Sequence, residues 1–285
     1  MRLSLAYSPC PNDTFAFHAM VHSLVDCEGL SFDVSLMDIE NLNKSAANRD
    51  FDICKLSYSA YYGYTGDYVM LRSGSALGFN NGPLLVAKKG SQFLKSGGVI
   101  DKDEILKSSV AIPGIMTTAA LLLRFAFPPI VNTTAVLFSE IEERILSGEF
   151  GCGVLIHETR FTYEKRGLEL IMDLGSNWQE KTSLPVPLGG IAVRRDMDTD
   201  LQLKINRVLR RSIEFALANP LISADYVAMN AREMELEIQR KHIGMFVNDY
   251  TVDISRTGEC AVERLHEVWS QIFPVKENKM NLFIL

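Results

Sequence analysis

The chain has 285 residues, 47% of them hydrophobic and 22% charged, with a formal net charge of −6. That length suits two domains of ordinary size, and the apolar content supplies large cores rather than a disordered chain. No run approaches the roughly 20 uncharged apolar residues of a membrane span, and the acidic balance excludes nucleic acid as the main partner, because phosphate neutralisation needs clustered Lys and Arg.

Met1-Arg2 leads straight into Leu3–Tyr7, which reads as a first strand and not as a secretory signal, since no apolar core or cleavage site follows. Five scattered cysteines (Cys10, Cys27, Cys54, Cys152, Cys260) show no C-x-x-C spacing. They predict reduced thiols in the cytoplasm, without a disulfide framework or a zinc site. Asn12–Leu24 has helical spacing, Phe32–Met37 is a second strand and Glu40–Asn48 a short polar helix. Phe51–Cys54 is a third strand that runs into the Ser- and Tyr-rich segment Lys55–Tyr64. Val69–Arg72 and Pro83–Ala87 read as two more strands around a Gly-rich loop.

The composition changes at Lys88-Lys89-Gly90 and the pattern begins again. Val110–Ile112 is a strand, Thr117–Phe127 a helix, Ala135–Phe138 a strand, Glu140–Ser147 a helix closed by Gly148, and Val154–Ile156 a buried strand. Leu188–Val193 is a return strand. Long helices then fill Leu201–Asn219 and Ser223–Arg240, with a last one over Glu259–Ile272. The alternation predicts an α/β fold of two lobes, each a mostly parallel sheet flanked by helices, with a ligand cleft between them. The predicted division is a discontinuous first domain, 1–88 plus 188–285, and an inserted second domain, 89–187.

The two halves share a plan of strand, Pro-containing turn and Thr-bearing helix start: Ser8-Pro9-Cys10-Pro11-Asn12-Asp13-Thr14 and Ile112-Pro113-Gly114-Ile115-Met116-Thr117-Thr118. In each, a strand delivers the chain to its carboxyl end and the next helix turns unpaired N–H groups towards a crevice, where open α/β sheets bind ligands. Thr117 and Thr118 offer two hydroxyls and a helix start to an anion or a polyol; the same residues serve equally as an N-cap and ordinary first turn. Lys55, leaving a strand, either reaches solvent or presents a fixed positive charge. With Ser57 and the tyrosines Tyr58, Tyr61 and Tyr62 it would suit an aromatic ligand, unless those rings simply pack in the core.

Of the five histidines, His157 stands out because it follows the buried run Gly153-Val154-Leu155-Ile156 and so lies at a strand's carboxyl end, where a neutral imidazole serves as a general base. His18 and His22 have i, i+4 spacing, but no Cys or carboxylate pattern completes a metal site. His242 and His266 lie in polar helices. Cys10, between two prolines, reads as a small turn residue and not as a nucleophile. There is no G-x-G-x-x-G, Walker loop, G-x-S-x-G or H-E-x-x-H.

Taken together, several runs resemble the 1,4-dihydroxy-6-naphthoate synthase family of the futalosine route to menaquinone. They are Ser8-Pro9-Cys10-Pro11-Asn12-Asp13-Thr14-Phe15, Lys55-Leu56-Ser57-Tyr58, Gly82-Pro83-Leu84, Pro113-Gly114 with Thr117-Thr118-Ala119, His157-Glu158-Thr159-Arg160-Phe161-Thr162-Tyr163, and Leu184-Pro185 with Pro187-Leu188-Gly189. The resemblance implies a periplasmic-binding-protein-like fold. It also implies a lyase that converts cyclic dehypoxanthinyl futalosine to 1,4-dihydroxy-6-naphthoate with loss of a small hydroxyketone and no cofactor. By position His157 matches the family's proton acceptor. The Lys55-Leu56-Ser57 run and the Thr117-Thr118 pair match its substrate-binding segments, and Asn12 and Gly82 fall in matched runs as further candidate contacts. Nothing in the motifs fixes a role for Asn80, Asn81, Ile115 or Met116. The implied partner is a small aromatic carboxylate with a polyol part, neither nucleic acid nor membrane, and the helices after Pro220 offer a possible homodimer face. The competing readings are a solute-binding protein that captures an organic anion without chemistry, and a ligand sensor.

Overall fold

A computed structural model describes residues 1–95, 97–231, 235–273 and 280–285. The chain opens with β1 (Arg2–Tyr7), α1 (Pro11–Val21), β2 (Ser31–Leu36), α2 (Ile39–Asn48), β3 (Ile53–Ser57), α3 (Tyr58–Tyr62) and the short strands β4 (Tyr68–Met70) and β5 (Ala76–Gly78). There follow β6 (Leu84–Lys88), β7 (Leu94–Lys95), β8 (Val99–Ile100), α4 (Lys102–Lys107), β9 (Val110–Ile112), α5 (Thr118–Ala126), β10 (Thr133–Ala135), α6 (Ile141–Leu146), β11 (Cys152–Leu155), β12 (Leu168–Asp173) and α7 (Leu174–Thr182). The chain finishes with β13 (Val186–Arg194), α8 (Thr199–Ala218), α9 (Ala224–Asn230), α10 (Leu236–Phe246), α11 (Asp249–Val252) and α12 (Ser255–Ile272).

Two compact units result, Met1–Gly78 with Pro187–Leu285, and Phe79–Val186. The division expected at residue 88 therefore lies late. β6 pairs with β11 and β12, so Leu84–Lys88 is part of the second unit's sheet and not the last strand of the first.

In the first unit the sheet runs β2-β1-β3-β13-β4, with β5 against β13. β2, β1 and β3 are parallel, joined by helical crossovers, whereas β13 is antiparallel to both β3 and β4. In the second unit the order is β10-β9-β11-β6-β12, with β10, β9 and β11 parallel and β6 antiparallel to its two neighbours. Both sheets are thus mixed, not mostly parallel. The reason is topological: β6 and β13 are the strands on which the chain enters the second unit and returns to the first, so they follow no βα crossover of their own sheet, which a parallel neighbour needs.

Each unit has its own core. Leu3, Leu5, Tyr7, Phe17, Ile53, Val193, Ile205, Val208, Leu209 and Ile213 belong to the first, and Leu84, Val86, Ala111, Ile141, Ile145 and Leu155 to the second. Each fully buried Leu, Ile or Val contributes about 1.5–3 kcal/mol relative to exposure. α1 and α8 approach closely at small residues: Ser212 Oγ donates to the Ala16 carbonyl at 2.7 Å and accepts from the Met20 N–H at 3.1 Å.

Other expectations shift locally. The strand expected over Ala135–Phe138 is instead β10, ending at Ala135, and Phe138 begins a short 3₁₀ turn, Phe138–Glu140. The helix expected over Ser223–Arg240 is two, α9 and α10, and residues 232–234 within that span lie outside the described residues. β12 and α7 were not foreseen at all. No helix among the described residues is long and apolar enough to cross a membrane.

Candidate active site

The register of the first sheet determines what meets at its edge. β1 and β3 are parallel, with Leu5 opposite Ile53 and Ala6 opposite Cys54, so their carboxyl ends lie side by side. From β1 the chain turns through Ser8-Pro9-Cys10 into α1. Pro11 stands in its first turn, where a missing N–H breaks no helical bond. Asp13, in that turn, is only 4% exposed. Its carboxylate accepts from Ser8 Oγ at 2.7 Å, from Asn12 Nδ2 at 2.8 Å and from Lys55 Nζ at 2.6 Å.

Lys55 does not leave β3 for solvent. It lies inside the strand, 6% exposed, and its charge is met by Asp13. The expected fixed positive charge is therefore half of a buried ion pair with no net charge. Strand alternation sets Lys55 and Ser57 on one face and the fully buried Leu56 on the other, opposite Gly190 of β13. Ser57 is fastened by Asn43 twice: its N–H donates to Asn43 Oδ1 at 2.9 Å, and its Oγ accepts from Asn43 Nδ2 at 3.1 Å. Thus Asn12 and Lys55 come together through Asp13, and Ser57 is held from α2.

The tyrosines after Ser57 take the core reading. Tyr58, Tyr61 and Tyr62 are all buried. Their hydroxyls bond to Ser75 Oγ at 2.7 Å, the Leu282 carbonyl at 2.5 Å and the Val262 carbonyl at 2.7 Å. Burial pushes all three phenols up, so each remains a neutral hydroxyl. His18 lies tilted and His22 edge-on against Tyr226, with centroids 5.3 and 4.8 Å from that ring. Burial, then the neighbouring His22, pulls His18 below its ordinary value.

The second sheet gathers four segments along one edge. β9 and β11 are parallel, Ala111 opposite Gly153, so Pro113 and Ile156 leave on the same side. β6 is antiparallel to β11, with Leu84 opposite Leu155, and β12 is antiparallel to β6, with Asp173 opposite Leu84. The same edge therefore carries the Pro113–Thr118 turn, the His157 turn, the approach to β6 through Asn80–Gly82, and the start of α7.

Thr117 is the N-cap of α5. Its Oγ1 donates to the Gly114 carbonyl at 2.8 Å and accepts from the Ala120 N–H at 3.2 Å. Such a cap stabilises a helix by about 1 kcal/mol. With the hydroxyl so engaged, the helix start itself is what that residue can offer a ligand. Thr118, at the first position of α5, is 2% exposed.

His157 opens the 3₁₀ turn His157–Phe161 and is half-buried. Its backbone is left-handed, at φ 57°, a conformation that costs a residue other than glycine about 1–2 kcal/mol. The Phe138 ring meets the imidazole edge-on, centroids 4.9 Å apart. Three residues on, Arg160 Nη1 donates to the Gly82 carbonyl at 2.6 Å and Nη2 to the Asn80 carbonyl at 3.1 Å, with Asp173 Oδ2 at 3.7 Å. Burial pulls the guanidinium below its ordinary value and Asp173 opposes that. Asp173 in turn caps α7, accepting from the Gly175 and Ser176 N–H groups at 2.9 and 3.0 Å.

Gly82 packs backbone to backbone on Gly175: a Cβ built on it would stand 2.3 Å from Gly175 Cα and 2.5 Å from its N. Neither neighbour is a side chain that can swing away. Gly82→Ala should therefore destabilise the second unit by roughly 1–3 kcal/mol, read as a lower thermal midpoint; a wild-type midpoint would mean that the two loops part freely.

A family model described as menaquinone biosynthesis matches residues 3–271. The chain belongs to this menaquinone-biosynthesis family. It is 40% identical over 266 residues to a Thermus thermophilus protein named 1,4-dihydroxy-6-naphtoate synthase, covering 92% of each chain. Among solved structures, a protein of Archaeoglobus fulgidus superposes with a TM-score of 0.86 at 32% identity, covering 96% of this chain and 98% of that one. A Candida albicans protein described as having the generic periplasmic binding protein fold reaches 0.67 at 10% identity, over 99% and 97%. The fold is of that kind.

In this menaquinone-biosynthesis family member the sequence does not single out Asp13, Asn43 or Asp173, and it offers Arg160 only as a near neighbour of His157. A signal for Asp13 existed: a lysine flanked by Ile53, Cys54 and Leu56 in a buried strand needs a counter-charge. Arg160 is marked in the sequence only by its nearness to His157, because its acceptors are main-chain carbonyls brought near by strand pairing.

Proposed function

We propose that the chain is a carbon–carbon lyase that forms 1,4-dihydroxy-6-naphthoate from cyclic dehypoxanthinyl futalosine, releasing a small hydroxyketone, in menaquinone biosynthesis. The observation that carries this is the 40% identity, over 92% of both chains, to the Thermus thermophilus protein named for that product. On this reading His157 is the proton acceptor. It takes a proton from the substrate, a retro-aldol-type cleavage breaks the carbon–carbon bond, and the electrons complete the aromatic diol, whose formation drives the step. The left-handed backbone of His157 and its place at the carboxyl end of β11 support the assignment, since strain of this kind gathers at functional positions.

Asn12, the Lys55-Leu56-Ser57 run, Gly82, Thr117 and Thr118 are the proposed substrate contacts. The neutral Asp13–Lys55 pair supplies hydrogen-bond donors rather than net charge, so the α5 start, with its N–H groups and dipole, is the better match for a substrate carboxylate. Leu56 contributes through its main chain, its side chain being fully buried. A cytoplasmic setting fits the cysteines: no disulfide joins them, and burial raises the Cys54 and Cys152 thiols to about 12. The test is to incubate purified protein with cyclic dehypoxanthinyl futalosine and follow the naphthoate by absorbance and mass. Conversion is expected; substrate bound and recovered unchanged would favour the solute-binding alternative instead.

A further inference from the structure

We infer that Arg160 is a positioning residue for His157: its guanidinium locks the turn that carries the imidazole against the Asn80–Gly82 carbonyls and the Asp173 carboxylate. The inference rests on the proposed role of His157 as proton acceptor.

The geometry is specific to a fork-shaped donor. One guanidinium spans two carbonyls two residues apart, at 2.6 and 3.1 Å, and faces a carboxylate oxygen at 3.7 Å. Its side chain is only 10% exposed, so these acceptors take over most of the hydration the guanidinium would otherwise have, with the Asn80 carbonyl on the exposed side. The acceptors are themselves fixed. Gly82 lies against Gly175, where no Cβ fits. Asn80 is left-handed at φ 58°, which sets the direction of that loop. Asp173 spends its other oxygen on the start of α7. Arg160 thus ties two neighbouring segments of the sheet edge, the Asn80–Gly82 approach and the start of α7, to one short turn.

That turn needs an external tie. It is a 3₁₀ segment of five residues, with the Thr159 hydroxyl donating to the Ile156 carbonyl at 2.7 Å as a local clasp. His157 stands at its first position in a backbone conformation that is unfavourable for its residue type. Left alone, such a turn relaxes toward ordinary φ values, and the imidazole swings with it. A displacement of about 1 Å at a reacting group lowers the rate by up to about 10²-fold. Arg160 need not touch the substrate to control that displacement.

The test uses the full chain with Arg160→Lys, Arg160→Ala, His157→Asn and the double variant His157→Asn/Arg160→Ala. Lysine keeps the charge but, as a point donor, cannot bridge both carbonyls. Arg160→Lys is expected to lower kcat about 10-fold and Arg160→Ala about 10²-fold, with KM within about threefold and folding judged by thermal unfolding. Guanidinium ion added to Arg160→Ala should restore part of kcat, and methylammonium should not. In the His157→Asn background, removing Arg160 should change the residual rate little, because the group it positions is gone. Wild-type kcat in Arg160→Lys and Arg160→Ala, or losses that multiply in the double variant, would overturn the positioning role. If Arg160→Ala does not fold, the lysine variant with and without His157 decides the same question. Full activity of His157→Asn by itself would overturn the base assignment instead, whatever Arg160 does.

Discussion

Replacing His157 with asparagine should lower kcat by about 10²–10⁴-fold, the usual contribution of a positioned acid or base, while KM changes by no more than a few-fold. Asparagine is the informative substitution because the backbone there is left-handed, at φ 57°. After glycine, Asn and Asp tolerate that region best, so the turn survives while the imidazole is lost. Alanine would mix the loss of the base with added backbone strain, and glycine would loosen the turn. Binding affinity, measured by calorimetry with substrate, is expected to persist, since the interaction removed belongs to the transition state. If His157→Asn turned over at the wild-type rate, the proton would be leaving to another group.

The second large effect concerns stability. Asp13→Asn leaves the Lys55 ammonium buried, with its counter-charge gone, and should destabilise the first unit by about 3–5 kcal/mol, as the breaking of buried pairs generally does. Both side chains are almost wholly shielded, 8% and 5% exposed, so solvent cannot take over. Replacing the pair together, Lys55→Met with Asp13→Leu, should recover much of that loss, because two apolar groups carry no desolvation penalty. It would also remove the donors proposed for substrate, so a stable but poorly binding double variant is expected. Denaturant unfolding of the three proteins measures this. A wild-type midpoint for Asp13→Asn would show that the ammonium finds water or another partner without the carboxylate.

What could be read in the sequence follows from how local each feature is. β9 was legible to the residue because three apolar positions stand between Ser109 and Pro113. α5 and its cap were legible from Thr117 and the apolar run after it. β12 and α7 were not. β12 carries a bulge between Leu170 and Met172 that breaks its alternation. α7 begins Leu-Gly-Ser, residues of weak helical preference after the first, and is held by tertiary means: the Asp173 cap and the fully buried Trp178, whose Nε1 donates to the Pro185 carbonyl at 3.0 Å.

The site divides the same way. The place of His157 just after β11 was legible because a short-range pattern, apolar strand then histidine, marks a strand end. Asp13 with Lys55, and Arg160 with the Asn80–Gly82 carbonyls, are pairings 42 and 78 to 80 residues apart. Only strand register creates them. Lys55 itself was misjudged for that reason: as a lone cation it suggested an anion site, and as a partner of Asp13 it does not.

The insertion of one unit within the other also orders the life of the chain on the ribosome. The second unit, Phe79–Val186, is complete in sequence before β13 exists, whereas α1 must wait for α8, which begins at Thr199. At about 5–20 residues per second, that wait lasts roughly 10–35 s. During it β1, α1 and β3 carry apolar faces, Leu5, Phe17 and Ile53 among them, whose later partners have not been synthesised. The nascent first half is thus the segment most in need of chaperone protection, and a truncation before α8 would leave a folded second unit tethered to an unfinished first one.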